Sequence, residues 1–233
     1  MTTLAIMQPT YLPWAGYFGL MDQVDQFVLL DSVQYDRRSW QQRNRIKTAD
    51  GAQWLTVPVL SKGLREQRIQ DVAIDTGRDF IVTHARSLRT AYGKTPYFQD
   101  YVPGLIDILE KGHARLAALT MELIQWLRDR LGITTPLLYA STLETTGSKA
   151  ELLAGICTHL GATRYVSPPG SKEYLDNSTA FADRGIPVGY FAFEHPQYAQ
   201  PFGEFIPYMS VVDLLCNCGP ESLELIRKGC KIS

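Results

Sequence analysis

Short apolar runs alternate with amphipathic segments along most of the chain. Apolar residues fill positions 4–7 and 27–30, and Pro9, Pro13 and Gly16 interrupt the pattern after the first run. The segment between the runs has apolar residues at the spacing of one helix face: Tyr17, Leu20, Met21 and Val24. A strand, a turn, a helix and a second strand in this order predict a parallel βαβ unit.

The same alternation returns in the second half of the chain. Apolar runs at 137–140, 164–167 and 188–193 predict three more strands, and 148–160 has the pattern of a helix. Residues 78–131 contain further helical segments. The sequence therefore predicts an α/β fold, a three-layer α/β/α arrangement with a mainly parallel sheet. We expect one domain over residues 1–233, with a helical insertion at 78–131.

Composition and charge narrow the function classes. The 233 residues are 45% hydrophobic, which supports a buried core, and the net charge of −1 gives no overall field to attract nucleic acid. The first residues lack the features of a signal peptide, and no segment approaches the length that spans a bilayer. We expect a cytoplasmic protein with no nucleic-acid partner and no membrane span, and the sequence leaves its oligomeric state open.

Metal and cofactor motifs do not occur in the sequence. The four cysteines lack the spacing of a zinc site, since Cys216 and Cys218 are separated by one residue. The phosphate-loop, dinucleotide-binding, nucleophile-elbow and zinc-protease motifs are also missing from the chain. We therefore expect no metal and no bound cofactor.

A basic and aromatic segment follows the second predicted strand. Guanidinium groups bind carboxylates and phosphates through paired hydrogen bonds, and aromatic rings stack on bases or sugars. The carboxyl ends of parallel strands share one edge of the sheet, so this segment should converge with the residues that follow the first strand. The predicted binding residues are Gln8, Tyr11, Tyr35, Arg38, Trp40, Arg43, Asn44, Arg45 and Lys47. The alternative is a solvated basic loop.

Two residues are candidates for acid–base chemistry because each follows a predicted strand. Asp31 ends the run at 27–30, and His195 follows the strand at 188–193 and precedes a proline that holds its backbone extended. We expect Glu194 and Tyr198 to orient the His195 imidazole for general-base catalysis.

Three other features each allow two interpretations. His84, in a predicted helix, is either a structural hydrogen-bonding group or part of the binding site. Ser171, after the strand at 164–167, either binds an anion at a helix N-terminus or caps that helix. The loop at 61–68, which includes Arg65, is either a lid or an ordinary connection.

Several long phrases of the sequence resemble the WbqC-like protein family. They are IMQPTYLPWAGYF, LLDSVQYDRRSWQQRNRIK, WLTVPV, YVSPPGSKEYL, which contains Ser171 and Tyr174, and HPQYAQPFGEFIPYMSVVDLLCNCG. The segment from His84 to YGKTPYF also fits the family pattern, which favours a site role for His84. Such proteins are often encoded in bacterial O-antigen and other surface-polysaccharide clusters, so the resemblance implies a role in that biosynthesis.

The first turn also resembles the nucleotidyltransferase and pantothenate-synthetase group, which has a HUP-type fold. That group carries a histidine-x-glycine-histidine motif in this turn, where the present chain has Trp14, Ala15, Gly16 and Tyr17. The glycine matches and both histidine positions differ. The resemblance implies a related fold, while the groups that would stabilise adenylyl transfer are not in their usual places.

Together these features predict a transferase that acts on a nucleotide-linked amino sugar, by acyl or aminoacyl transfer. The expected partner is a nucleotide sugar or another phosphate-bearing small molecule. Two alternatives remain open. One is a non-catalytic nucleotide-sugar-binding accessory protein, and the other is a glycosyltransferase, although the D-x-D motif common in such enzymes is missing from the chain.

Overall fold

The computed structural model describes residues 1–64 and 66–233. Arg65 belongs to the loop at 61–68, interpreted above as either a lid or an ordinary connection, and is outside the described residues. The main sheet contains β1 (Thr3–Met7), β2 (Gln26–Leu29), β5 (Leu137–Tyr139), β6 (Arg164–Ser167), β7 (Val188–Phe193) and β8 (Cys230–Ile232). Their order across the sheet is β5, β2, β1, β6, β7 and β8.

Five of the six strands run parallel, which confirms the prediction of a mainly parallel sheet. Ala5 of β1 pairs with Phe27 of β2 on one side and with Val166 of β6 on the other. The last strand, β8, pairs antiparallel with β7, with Phe191 opposite Ile232. This strand was not predicted, because three residues carry too little periodicity to distinguish a strand from a chain end.

Eight α-helices accompany the strands in the described part of the chain. They are α1 (Ala15–Asp22), α2 (Phe80–Tyr92), α3 (Phe98–Glu110), α4 (Leu116–Leu131), α5 (Lys149–His159), α6 (Lys172–Asp176), α7 (Val211–Cys218) and α8 (Ser222–Gly229). Helices α2 to α4 occupy the region 78–131. That this region is an insertion in a single domain stays a prediction. None of the helices in the described residues is long and apolar enough to cross a membrane.

The two faces of the sheet bury two separate hydrophobic clusters. Side chains alternate along a strand, so Ala5 packs with α1 on one face while Leu4 and Ile6 pack with α5 on the other. Leu4 and Ala5 have no exposed surface. Helices therefore cover both faces, and the exposed functional surface lies at the edges of the sheet.

A β-hairpin outside the main sheet carries most of the basic segment. Strand β3 (Arg43–Thr48) pairs antiparallel with β4 (Gly51–Thr56), and Gly51 closes the turn with a φ of 96°. The alternative interpretation, a solvated basic loop, is therefore wrong from Arg43 onwards. The Asn44 side-chain amide donates to the Leu12 carbonyl at 2.7 Å, which holds the hairpin over the turn that follows β1.

Candidate functional site

A crevice opens at the carboxyl edge of the sheet, where β1 and β6 lie side by side. From β1 the chain continues to β2 on one side, while β6 lies on the other side of β1. Ligands of open α/β sheets bind at such a reversal of strand order, because the loops diverge there and leave a gap. Two adjoining cavities of about 380 Å³ each occupy this edge, and both are lined by Met7, Thr10 and Trp40.

The first cavity, which we call the switch-point pocket, has mainly apolar walls with a few polar side chains. The Gln41 amide nitrogen donates to the Gln8 side-chain oxygen at 2.8 Å, which fixes Gln8 at the rim and leaves its NH₂ group for a ligand. Ser171 and Tyr174 line the opposite wall. Ser171 occupies the N-cap position of α6, a helix of five residues, but its hydroxyl makes no capping hydrogen bond to that helix.

The second cavity, the aromatic pocket, is bounded by Trp14, Tyr17, Trp40 and Tyr208. The Trp14 ring lies directly over Gly16, so a side chain at that position would collide with the indole. This explains the glycine in the first turn of α1. Tyr208 has a φ of 60°, a left-handed conformation that costs free energy in a non-glycine residue and is concentrated at binding sites.

Arg45 supplies the positive charge of the aromatic pocket. Its guanidinium lies 5.9 Å from the centre of the Trp40 ring and 5.6 Å from that of Trp54. The Arg45 Nε and the Thr10 hydroxyl are both buried and have no hydrogen-bond partner among the described residues. Unpaired buried polar atoms cost about 1–3 kcal/mol each, so a rotation of either side chain that lets a bound ligand pair with them would recover this free energy.

Arg38 and Arg43 do not line the same crevice as Gln8. They line a separate cleft of about 730 Å³ that the hairpin also borders, together with Arg37, Arg78 and His84. We call this the arginine cleft. The prediction that Arg38 and Arg45 share one cleft with Gln8 and Tyr11 is therefore wrong for Arg38, while Arg45 lines the aromatic pocket, which adjoins the pocket of Gln8. The prediction assumed that all side chains of the segment point in one direction.

Tyr11, Tyr35 and His84 are buried in the protein interior. The Tyr11 hydroxyl lies 2.8 Å from His84 Nδ1, and burial lowers the pKa of His84 to about 4 while a hydrogen bond to the Thr56 backbone opposes this shift. The Tyr35 hydroxyl donates to the Gln42 side-chain oxygen, and burial raises the pKa of Tyr35 to about 12. The structural interpretation of His84 is thus favoured.

Lys47 is buried and holds the C-terminal loop. Its ammonium group donates to the Glu204 backbone carbonyl. It also lies close enough to the buried carboxylate of Asp213 to favour the charged form of that group, although burial dominates and raises the pKa of Asp213. Tyr92 and Tyr198 donate to the two oxygens of the same carboxylate at 3.1 and 2.9 Å. Both Lys47 and its network face inward, so the structure does not place Lys47 at a ligand.

Asp31 is buried and bonded to the turn after β5. One carboxylate oxygen accepts from the Ser141 backbone N–H at 2.8 Å and the other accepts from the Ser141 hydroxyl at 2.6 Å. Because both oxygens are engaged, the structure favours a role in joining the ends of β2 and β5 over that of a general base.

His195 emerges beyond β7 at the carboxyl edge, in a third cavity of about 630 Å³. Its Nδ1 lies 3.0 Å from the Pro196 carbonyl, and burial lowers the pKa of the imidazole. The prediction that Glu194 orients the imidazole is wrong, while the Tyr198 ring stacks on His195 with the ring centres 6.2 Å apart. Glu194 pairs with Lys231 at 2.9 Å, and the Tyr198 hydroxyl bonds to Asp213.

Tyr208 connects the His195 cavity with the aromatic pocket, since it lines both. Its ring lies 5.3 Å from that of His195 and 5.7 Å from that of Trp14. Thr10, Trp14, Gln41 and Tyr208 were missed by sequence reasoning. Thr10 and Trp14 stand in the turn after β1, a position that could have identified them.

Sequence comparisons place this architecture in a family. The sequence profile described as the WbqC-like protein family matches residues 8–225. The chain belongs to the WbqC-like protein family. The matched region begins at Gln8 and contains the crevice residues from there to Tyr208. It also contains His195.

A relative in Mycobacterium tuberculosis (strain ATCC 25618 / H37Rv) matches almost end to end. It carries the name Uncharacterized protein Rv1507c and is 39% identical over 229 residues, which cover 97% of this chain and 98% of the relative. No solved structure matches the chain. The WbqC-like family assignment therefore rests on sequence, and the chemistry of the site has to be argued from its own residues.

Proposed function

We propose that this WbqC-like protein is a transferase that acts on a nucleotide-linked amino sugar in surface-polysaccharide biosynthesis, by acyl or aminoacyl transfer. The family membership supports the biosynthetic context. The parallel βαβ unit with a crevice at its carboxyl edge supports a nucleotide site and a fold of the nucleotidyltransferase and pantothenate-synthetase (HUP) type.

The observation that carries the proposal is a pair of polar side chains in the crevice, Thr10 and Arg45, each with one polar atom that has no partner among the described residues. Both line the aromatic pocket, where a nucleobase would stack against Trp14 or Trp40. The Arg45 guanidinium would then bind the diphosphate.

The sugar would lie in the switch-point pocket. The polar groups there are those that recognise hydroxyls and amides: the amide of Gln8 and the hydroxyls of Ser171 and Tyr174. An amino sugar presents a matching set of donors and acceptors, so a nucleotide sugar would fill both pockets with its base and its sugar at opposite ends.

His195 would act as the general base. Since burial lowers its pKa, the imidazole is neutral at neutral pH, and the bond to Pro196 leaves Nε2 free to accept a proton. As the amine of the sugar attacks the acyl carbonyl, a new N–C bond forms. The amine proton passes through water in the crevice to the imidazole, which lies beyond the aromatic pocket. The leaving group departs with the electron pair of the broken bond.

Calorimetry with a nucleoside diphosphate sugar tests the binding part. Arg45→Lys keeps the charge but removes the planar fork, so affinity should fall about tenfold, equivalent to about 1.4 kcal/mol. Arg86→Lys, at an exposed position of α2, is the matched control and should bind like the wild type. Equal affinities for both variants would contradict the proposed site.

A non-catalytic accessory protein is the second candidate. It is favoured because three ionisable side chains that were candidates for the site form hydrogen bonds within the protein instead. Asp31 bonds to Ser141, His84 to Tyr11 and Lys47 to Glu204. Mass spectrometry of nucleotide sugar incubated with the pure protein and acyl donors separates the possibilities. A mass increase of the sugar supports the transferase, binding without turnover supports the accessory protein, and release of free nucleoside diphosphate supports a glycosyltransferase.

A further inference from the structure

We propose that the arginine cleft is a second ligand site, separate from the crevice, which binds a compound that carries several phosphates and a flat ring, such as a nucleoside triphosphate. The cleft is the largest of the described cavities, at about 730 Å³. Its walls come from the segment 37–43, the strand β4 and the start of α2.

The charge in the cleft is positive and largely uncompensated. Arg37, Arg38, Arg43 and Arg78 line it, against two carboxylates. One of these, Asp75, pairs with Arg78 at 3.3 Å. The other belongs to Asp79, whose oxygen accepts from the Val82 N–H at 3.3 Å to cap α2. Among the described residues, no carboxylate forms a salt bridge with Arg37, Arg38 or Arg43, so three guanidinium groups are available to phosphates.

Two of these arginines are held in place before any ligand binds. The Arg43 guanidinium lies 4.3 Å from the centre of the Trp54 ring, a cation–π contact that limits its motion. Arg38 has a φ of 59°, and its N–H donates to the Gln42 side-chain oxygen at 3.2 Å. Gln42 is fixed in turn by the Val57 carbonyl. A strained backbone that is held by such hydrogen bonds is typical of a binding site, because less conformational entropy is then lost when a ligand binds.

A flat ring is expected in the ligand because of Trp54. This side chain lines the cleft and is 43% exposed, although it is a large hydrophobic group. An exposed indole beside free guanidinium groups matches a compound with an aromatic base next to phosphates. An inorganic polyanion would use the arginines and leave the indole in water.

Trp54 also brings the second site close to the first. It contacts Arg43, which lines the cleft, and Arg45, which lines the aromatic pocket, with its ring 5.6 Å from the Arg45 guanidinium. Two ligands would therefore lie close to the same indole. If the proposed transferase activity holds, the cleft is suited to the phosphate-bearing donor; the binding proposal itself does not depend on that activity.

Calorimetry with ATP, tripolyphosphate and adenosine tests the inference. ATP should bind most tightly, tripolyphosphate more weakly and adenosine weakest. Arg38→Gln/Arg43→Gln should weaken ATP binding at least about tenfold, while Arg86→Gln/Arg89→Gln, with the same charge change on the exposed side of α2, should leave it unchanged. Equal losses in both pairs, or no ATP binding by the wild type, would overturn the proposal.

Two further variants separate the parts of the argument. Trp54→Leu should weaken ATP but not tripolyphosphate, and equal losses for both probes would remove the ring from the proposal. Arg45→Lys, in the aromatic pocket, should leave ATP binding unchanged while it weakens nucleotide-sugar binding, so failure of the nucleotide-sugar site and failure of the cleft are distinguishable. Thermal melting checks folding. If the Arg43 variant is unfolded, Arg37→Gln/Arg38→Gln, at two exposed positions, repeats the test.

Discussion

The hydroxyl of Tyr11 lies 2.8 Å from Nδ1 of His84, and both side chains are buried. This bond ties the turn after β1 to helix α2. It makes the two residues part of the framework beneath the hairpin, although both were candidates for ligand binding. Their roles can be separated by measuring stability and binding on the same variants.

Tyr11→Phe should lower the free energy of unfolding and leave ligand binding intact. Removal of the hydroxyl leaves His84 Nδ1 buried without a partner, which costs about 1–3 kcal/mol. Urea unfolding at neutral pH measures the loss, and Tyr208→Phe at an exposed position serves as the control. A normal stability combined with weaker nucleotide-sugar binding would return Tyr11 to the site.

The buried His84 should make the protein less stable in mild acid. Its pKa is about 4 in the folded state against 6.5 for the free side chain, so below pH 6.5 the unfolded chain binds a proton that the folded one does not. Stability therefore falls as the pH drops from 6.5 to about 4, by up to about 3 kcal/mol in all.

The test compares urea unfolding of the wild type and His84→Gln across this pH range. Asp213 works in the opposite direction, because its raised pKa favours the folded state as the pH falls. The difference between the two proteins removes this shared contribution. Parallel pH profiles for wild type and variant would show that His84 is not the cause.

Lys47→Met should be strongly destabilising. The substitution removes the ammonium group that faces the Glu204 carbonyl and the Asp213 carboxylate, and leaves that carboxylate buried without a nearby cation. The expected loss is about 3 kcal/mol.

A double variant checks that the loss comes from the charge. Lys47→Met/Asp213→Asn should recover part of the stability, because the second change neutralises the stranded carboxylate. Lys94→Met, at an exposed position, is the control for the first change. Strictly additive losses in chemical denaturation would show that the two residues are not coupled.

His195→Ala should abolish most of the transfer without unfolding the protein. The imidazole is partly exposed at the carboxyl edge, so the melting temperature should change little, while turnover of the nucleotide sugar should fall by about two to four orders of magnitude. In the wild type the rate should decline only as the pH falls below 6.5, since burial lowers the pKa of the base. A large fall in melting temperature with residual activity would instead indicate a structural histidine.

The sequence by itself determined the parallel sheet and the edge where the crevice lies. Runs such as 4–7 and 27–30 are apolar over strand length and are separated by one helix, and that local pattern is sufficient to specify a βαβ unit. Because the unit fixes strand direction, it also places Gln8 and His195 at the carboxyl edge.

Only the tertiary structure decided which polar side chains meet a ligand. Lys47 lies in a basic segment, but the backbone at Gly203 and Glu204, more than 150 residues later, covers it. The hairpin likewise separates Arg43 from Asn44, because successive residues of a strand point to opposite faces. Such burial depends on contacts between distant parts of the chain, and those contacts cannot be predicted from residue type and spacing.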